Sequence, residues 1–422
     1  MQQVQKRNMI KSNALEVCIK SSLEATMLSK IKNNYNHTIY ASYIAYIVQA
    51  INNNFAPLLF LTFATNYELS LDKITLITTI NFLIQLLVDL ISTKAIDKVG
   101  YRPALIFGHI ASVLGLIGMA FLPDVFSSAY TGLLVAVVLY AIGGGLMEVL
   151  VSPVVEACPT EKKEAAMSLL HSFYCWGHVG VVLISTLFFK LFGIENWKVL
   201  ACIWAIVPFI NIFYFSVVPI YPIVAEHEKL SLRGLLKQKV FWLLIVLMVC
   251  AGASEQAMSQ WASAFAESGL KVSKTVGDLA GPCAFAILMG TARALYGKYS
   301  DKLPLMKMMI GSAVLCIGCY LLAALSGHPL FSLIGCAVCG FSVGIFWPGT
   351  FSIAASKLPC GGTAMYALMA LAGDLGCSSG PTVVGMVANS FEGKLTVGII
   401  VAIVFPIVML LGLIRMMCKS GK

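Results

Sequence analysis

Along this chain, apolar runs of about 20 to 28 residues alternate with short polar breaks, and twelve such runs follow one another between residues 37 and 417. A helix needs about 20 apolar residues to cross roughly 30 Å of hydrocarbon, so each run predicts one membrane-spanning helix. Spans are expected, for example, over 37–63, 128–151, 240–266 and 362–388. The longest polar break, 220–239, is basic and separates the first six runs from the last six. The expected organisation is therefore a polar tail over 1–36, a six-helix bundle over 37–219, a central loop over 220–239, a second bundle over 240–417 and a short tail over 418–422. The fold class is all-α and integral to the membrane.

Composition agrees with the pattern. Of 422 residues, 59% are hydrophobic and 12% charged, more apolar surface than a soluble domain can hide. The tail carries Lys6, Arg7, Lys11, Lys20, Lys30 and Lys32 and lacks the apolar core and cleavage site of a signal peptide. Placing it in the cytoplasm puts about 22 Lys and Arg inside and about six outside (Lys73, Lys190, Lys198, Lys271, Lys274 and Lys394). Short loops rich in Lys and Arg stay inside, so both termini are expected in the cytoplasm and the chain in the plasma membrane. This asymmetry and the attraction to anionic lipid account for the net charge of +9 without nucleic acid. The thirteen cysteines lie mostly within spans, so no disulfide, metal site or cofactor is expected. A monomer is expected, with a small-molecule solute, protons and lipid as its partners.

The two halves echo each other. Asp97-Lys98 after span two is answered by Asp301-Lys302 after span eight, and a charged residue precedes each aspartate by eight positions, Asp89 and Arg293. Gly145 stands eight before Pro153 in span four, as Gly340 stands eight before Pro348 in span ten. Such internal symmetry marks transporters in which two halves rock around a midplane site.

The six-plus-six layout and the Asp-Lys loops, Thr93-Lys-Ala-Ile-Asp97-Lys98-Val-Gly100-Tyr-Arg102 and the copy from Gly297 through Asp301-Lys302, resemble the major facilitator superfamily. The resemblance implies two pseudo-symmetric six-helix bundles. It also implies that Asp97, Asp301 and neighbours such as Arg102 latch the halves on the cytoplasmic side, where topology-setting loop charge is the other reading. Span four, with Gly143-Gly144-Gly145, Glu148 and Ser152-Pro153, and span one, with "QAINNNFAP", resemble the fucose permease-like sugar–proton symporters. In that group an aspartate follows the asparagines. Here Phe55-Ala56 occupies the place, which leaves Glu148 to carry most of any coupling.

Read for chemistry, the strongest candidate is Glu148. An ionised carboxylate at the bilayer centre costs about 2.5–3.5 kcal/mol on insertion scales, so Glu148 faces a cavity or a partner. It either binds the coupled proton or, neutral, ties helices together. In span seven Glu255, Gln256, Ser259, Gln260, Ser263 and Glu267 form one polar stripe beside Trp261. Amides satisfy hydroxyls in both directions and an indole stacks on a pyranose, so the stripe reads as a sugar site or as interhelical bonding. Gln49 with Asn52 or Asn53 in span one, and Trp347 in span ten, are further substrate candidates. Asp89, Arg293 and Asp374 join the expected cytoplasmic gate, and His171 is a possible proton relay. The expected function is proton-coupled uptake of a sugar or sugar derivative by alternating access. A proton-driven exporter and a transporter-like sensor are the alternatives. No nucleophile–base pair or phosphate loop suggests an enzyme.

Overall fold

A computed structural model of the chain describes residues 29, 31–160, 163–221, 232–299, 304–358 and 362–420. Most of the tail over 1–36, half of the loop over 220–239 and the predicted gate residue Asp301 lie outside the described residues.

The described chain is helical throughout. Its membrane helices are α1 (Tyr35–Asn54, continued by a 3-10 turn at Ala56–Leu59 and by Phe60–Asn66), α2 (Leu71–Val99), α3 (Tyr101–Val125), α4 (Ala129–Glu156), α5 (Lys163–Phe192) and α6 (Trp197–Val217). After a short helix at Leu232–Leu236 come α7 (Lys239–Ser259, continued to Gly269), α8 (Lys274–Tyr299), α9 (Leu305–Leu325), α10 (Pro329–Val343 and Phe346–Lys357), α11 (Gly362–Ser390) and α12 (Leu395–Ala402 and Val404–Ser420). Eleven of these are long and apolar enough to cross a membrane by length and composition. The remaining one, α11, is a 29-residue helix whose Gly, Ser and Asp content dilutes its hydropathy. The twelve expected spans are thus present as helices, and several run a turn further than their apolar runs, as α4 does to Glu156.

The outer surface is apolar: Phe107, Phe121, Leu187, Ile210, Phe213 and Leu411 are exposed, whereas Gln49, Asn52, Asn53, Asn81, Gln85 and Gln256 are buried. This inside-out distribution suits a hydrocarbon solvent, which rewards apolar contact and leaves backbone and polar groups to satisfy one another internally. Helices α1 and α7 both lose regular winding about 20 residues in, α1 at Phe55 before Pro57 and α7 at Gln260-Trp261. Non-helical backbone at that depth is tolerated only where protein buries it or a cavity hydrates it, and these residues are buried.

Helix packing divides the chain. Helices α1 to α6 pack on one another, chiefly α3 on α4 and α6, α2 on α4, and α1 on α4 and α5. Likewise α7 packs on α11 and α12, α9 on α10 and α12, and α8 on α10. Two seams join the groups, α2 on α11 and α5 on α8. The paired glycines fit the same plan in both halves. A Cβ on Gly145 would lie 3.0 Å from Val88 Cβ on α2, and one on Gly340 would lie 2.1 Å from the Phe285 carbonyl oxygen on α8. Larger residues would push α4 off α2 and α10 off α8.

The apolar core shows where the halves are joined. One cluster runs from the second half into the later part of α1, the start of α2 and the end of α5, through Phe60, Phe63, Ile74, Trp197, Trp261 and Phe265. The other is confined to the first half near the termini, around Ile39, Tyr43, Leu105, Leu150, Val155 and Phe215. The halves therefore share a continuous core at the end away from the termini and keep separate cores at the end that carries them.

Candidate functional site

At mid-depth the polar side chains of both halves converge. Gln49 on α1 donates from Nε2 to Glu148 Oε2 on α4 at 2.7 Å, so the carboxyl is held by a neutral amide. One turn toward the termini, Tyr46 Oη and Ser152 Oγ are 3.1 Å apart, tying the same two helices. Glu148 also lies within electrostatic reach of Asp374 on α11 and Glu255 on α7, which places it between the halves.

The asparagines of α1 divide as their 100° steps require. Asn52 turns inward to its own bundle, donating to Ser112 Oγ at 2.9 Å and to the Tyr140 carbonyl at 3.2 Å. Asn53 faces α2: its Oδ1 accepts from Gln85 Nε2 at 2.8 Å and from Asn81 Nδ2 at 3.2 Å. Its carbonyl accepts from Gln260 Nε2 across the halves at 3.2 Å. Asn54 donates to Tyr174 Oη on α5 at 3.4 Å. Of the candidates on span one, Gln49 and Asn53 reach the midplane cluster, whereas Asn52 spends its amide on bonds within the first bundle.

On α7, Gln260 donates to Gln256 Oε1 at 3.0 Å and Gln256 donates to Glu255 Oε1 at 3.2 Å, so the expected stripe is a chain of linked amides ending on a carboxyl. Arg293 on α8 closes that chain, donating from Nη2 to Glu255 Oε2 at 3.4 Å. It also donates from Nη1 to Cys175 Sγ on α5 at 3.2 Å and from Nε to the Gly344 carbonyl at 3.3 Å. Arg293, expected at the cytoplasmic gate, thus meets the substrate candidate Glu255. The sequence hides this, because Glu255 and Arg293 are 38 positions apart and only the packing of α7 and α8 joins them. Trp261 is 1% exposed, tilted against Phe60 at 5.3 Å and donating to the Pro381 carbonyl at 2.9 Å. Its ring is thus occupied by the far-end core. Trp347 is half-buried against Gly373, one residue from Asp374.

Among the other gate candidates, Asp89 and Asp374 meet across the α2–α11 seam. Arg102 caps α6, donating to the carbonyls of Phe215 at 2.6 Å, Ser216 at 2.8 Å and Val218 at 2.7 Å, a satisfying role at a helix C-terminus. Asp97 falls in the last turn of α2. His171 is exposed, its ring edge-on to Tyr46 at 5.3 Å.

One cluster had no counterpart in the sequence reading. Lys274, counted there only as loop charge, donates to the Leu58 carbonyl on α1 at 2.6 Å and pairs with Asp278 at 3.3 Å. Asp278, 0% exposed, accepts from Thr186 on α5 at 3.3 Å and from Ser263 on α7. On the other seam, Thr79 and Thr382 bond to each other. These ties bolt the halves at the end away from the termini. The available signal was the i, i+4 spacing of Lys274 and Asp278 at the start of an apolar run.

Two helical bundles joined along two seams, with polar and charged groups converging at mid-depth, define a polytopic membrane transporter. The Major Facilitator Superfamily profile matches residues 42–381. The chain belongs to that superfamily; it is a secondary transporter, not an enzyme. No curated protein matches it. Among solved structures it is similar to a D-xylose–proton symporter, with 12% identity and a TM-score of 0.72 over 91% of this chain and 97% of that one. A bacterial homologue of the human lysosomal transporter Spinster, in an inward-facing and occupied conformation, gives 13% identity and 0.71 over 91% and 97%. The E. coli fucose:proton symporter gives 14% identity and 0.61 over 90% and 98%. At such identities the likeness is one of fold.

Proposed function

We propose that the chain takes up a small polar solute, a sugar or sugar derivative, in symport with protons, and that Glu148 is the group that gains and loses the coupled proton. The observation that carries this reading is the partner of Glu148: a glutamine amide, in a setting shared by both halves. An amide bonds to a carboxyl in either protonation state, because its oxygen can accept where its nitrogen donated. A glutamate tied to a cation would lose its counter-charge on protonation, whereas Glu148 changes charge without stranding a partner. Gln49 Oε1 is buried without a donor among the described residues, and a substrate hydroxyl is a fitting one. The linked amides of Gln256 and Gln260, with Asn53, supply further donors and acceptors for hydroxyls. Two of the similar folds belong to sugar–proton symporters, which is support by analogy.

In this reading both termini are cytoplasmic and the membrane is the plasma membrane. The far-end bolt then closes the outward side, and Asp97 and Asp301 serve the inward latch. Uptake into proteoliposomes with an imposed pH gradient tests it. An inward proton gradient drives accumulation of a sugar found by thermal-shift screening, since a ligand of the native state stabilises it by mass action. E148Q retains binding and loses the accumulation. Uptake indifferent to the gradient, or an E148Q protein that still accumulates, overturns the reading; efflux driven by the gradient makes the protein an exporter.

A further inference from the structure

The α2–α11 seam carries two carboxyl groups face to face. Asp89 and Asp374, 8% and 3% exposed, come from opposite halves and face each other across the packed helices, close enough for their side chains to interact. A hydrogen bond between two carboxyl groups needs a proton, and two bare carboxylates so close repel strongly where water does not screen them. Asp89 Oδ1 and Asp374 Oδ2 are each buried without a partner among the described residues, so no protein donor or cation takes up that charge. The titratable groups facing the pair are Glu148 from α4, Cys377 from α11 itself and, beyond them, Glu255 from α7. All are acids or a thiol. The cation of the midplane cluster, Arg293 on α8, is engaged by Glu255 and Cys175. The ligand that these unmatched oxygens fit is a proton.

We propose that Asp89 and Asp374 form a second proton-binding site, distinct from Glu148, which shares one proton between the halves and is intact only while α2 and α11 approach at this depth. The inference deepens the proton-coupled reading above and rests on it for its part in transport. When the seam parts, each aspartate meets water separately and the shared proton leaves. When the proton leaves first, like charges oppose closure. Acid conditions therefore favour the closed seam and alkaline conditions the parted one, so proton binding and conformation are linked in a place where no substrate group need take part.

The test uses the full chain in lipid nanodiscs without substrate. Infrared difference spectra across pH follow the C=O band of protonated carboxyls, and spin labels at Ile91 and Leu375, both exposed, follow the seam. In the wild type a protonated-carboxyl band distinct from that of Glu148 is lost as pH rises and the labels separate. D89N and D374N each abolish that band and flatten the pH dependence of the distance, E148Q keeps both, and D89E, which retains an acid, restores the titration if an amide variant fails to fold. Persistence of the band in D89N and D374N, its loss in E148Q alone, or a titration that changes when potassium replaces sodium overturns the proposal. Uptake that ignores a pH gradient while this band remains intact would remove the symport reading and leave the site standing.

Discussion

The two seams between the halves occupy equivalent places in the internal repeat and are chemically opposite. Asp89 on α2 and Arg293 on α8 each stand eight residues before an Asp-Lys pair. Their partners across the seams are Asp374 on α11 and Cys175 on α5. At matching positions, then, one seam sets acid against acid and the other guanidinium against thiol. The contrast continues to the far end, where α2 meets α11 through Thr79, Thr382 and Ser378, all neutral, while α8 meets α1 and α5 through Lys274 and Asp278. The α5–α8 seam balances its charges with its own cations at both levels, so its closure needs no added proton. The α2–α11 seam has no cation paired with its acids among the described residues and closes fully only with a proton. A repeat that began symmetric has thus come to hold one constitutive joint and one conditional joint.

The largest effect is expected from breaking the balanced seam at Arg293. R293M leaves Glu255 buried without its counter-charge, and removing one partner of a buried pair costs about 3–5 kcal/mol. Thermal unfolding in detergent should fall accordingly, and R293M with E255M should recover most of the loss, since the pair as a whole is worth little more than apolar side chains of similar volume. If the single variant is as stable as the wild type, the α5–α8 seam is not charge-balanced in the way described. A smaller loss is expected at the far end. K274M strands Asp278 and removes the bond to the Leu58 carbonyl, weakening the bolt by about 3 kcal/mol, on the order of a hundredfold in the balance between conformations. Thiol labelling of cysteines placed beside Thr186 should speed up by a comparable factor, and unchanged labelling would deny the bolt its role.

Hydropathy made the membrane fold legible because the length of each apolar run is set by bilayer thickness, and the internal echo of Gly145 and Gly340 revealed the halves because each glycine serves a close helix approach. Sequence also picked out Glu148, since a lone acid in an apolar run has few uses. Partnerships between helices stayed hidden. Nothing local says that Arg293 meets Glu255 rather than a loop aspartate, that Asn52 turns into its own bundle, or that Trp261 fills the far-end core. Trp261 resembles a sugar platform because amides precede it in sequence, yet its ring packs on Phe60 and bonds to the Pro381 carbonyl. The role of Lys274 is hidden for a related reason: a charge at the edge of a span reads as topology, and only the fold brings a carbonyl from α1 within its reach.

Two mild substitutions sharpen the comparison. T382V removes the hydroxyl contact with Thr79, but Thr79 keeps its bond to the Thr75 carbonyl at 3.0 Å, so the cost should stay below about 1 kcal/mol. Milder still is C175S. Arg293 donates to the Cys175 sulfur at 3.2 Å, and a hydroxyl oxygen accepts at least as well, so thermal stability should change by less than about 0.5 kcal/mol. The useful measurement is the pH dependence of closure in that variant. Serine, like the thiol, brings no charge to the seam, so C175S should reproduce the wild-type pH response of the α2–α11 labels while D374N, on the other seam, flattens it. If C175S altered the response as D374N does, the two seams would be coupled through the acids between them, and the division into a constitutive and a conditional joint would fail.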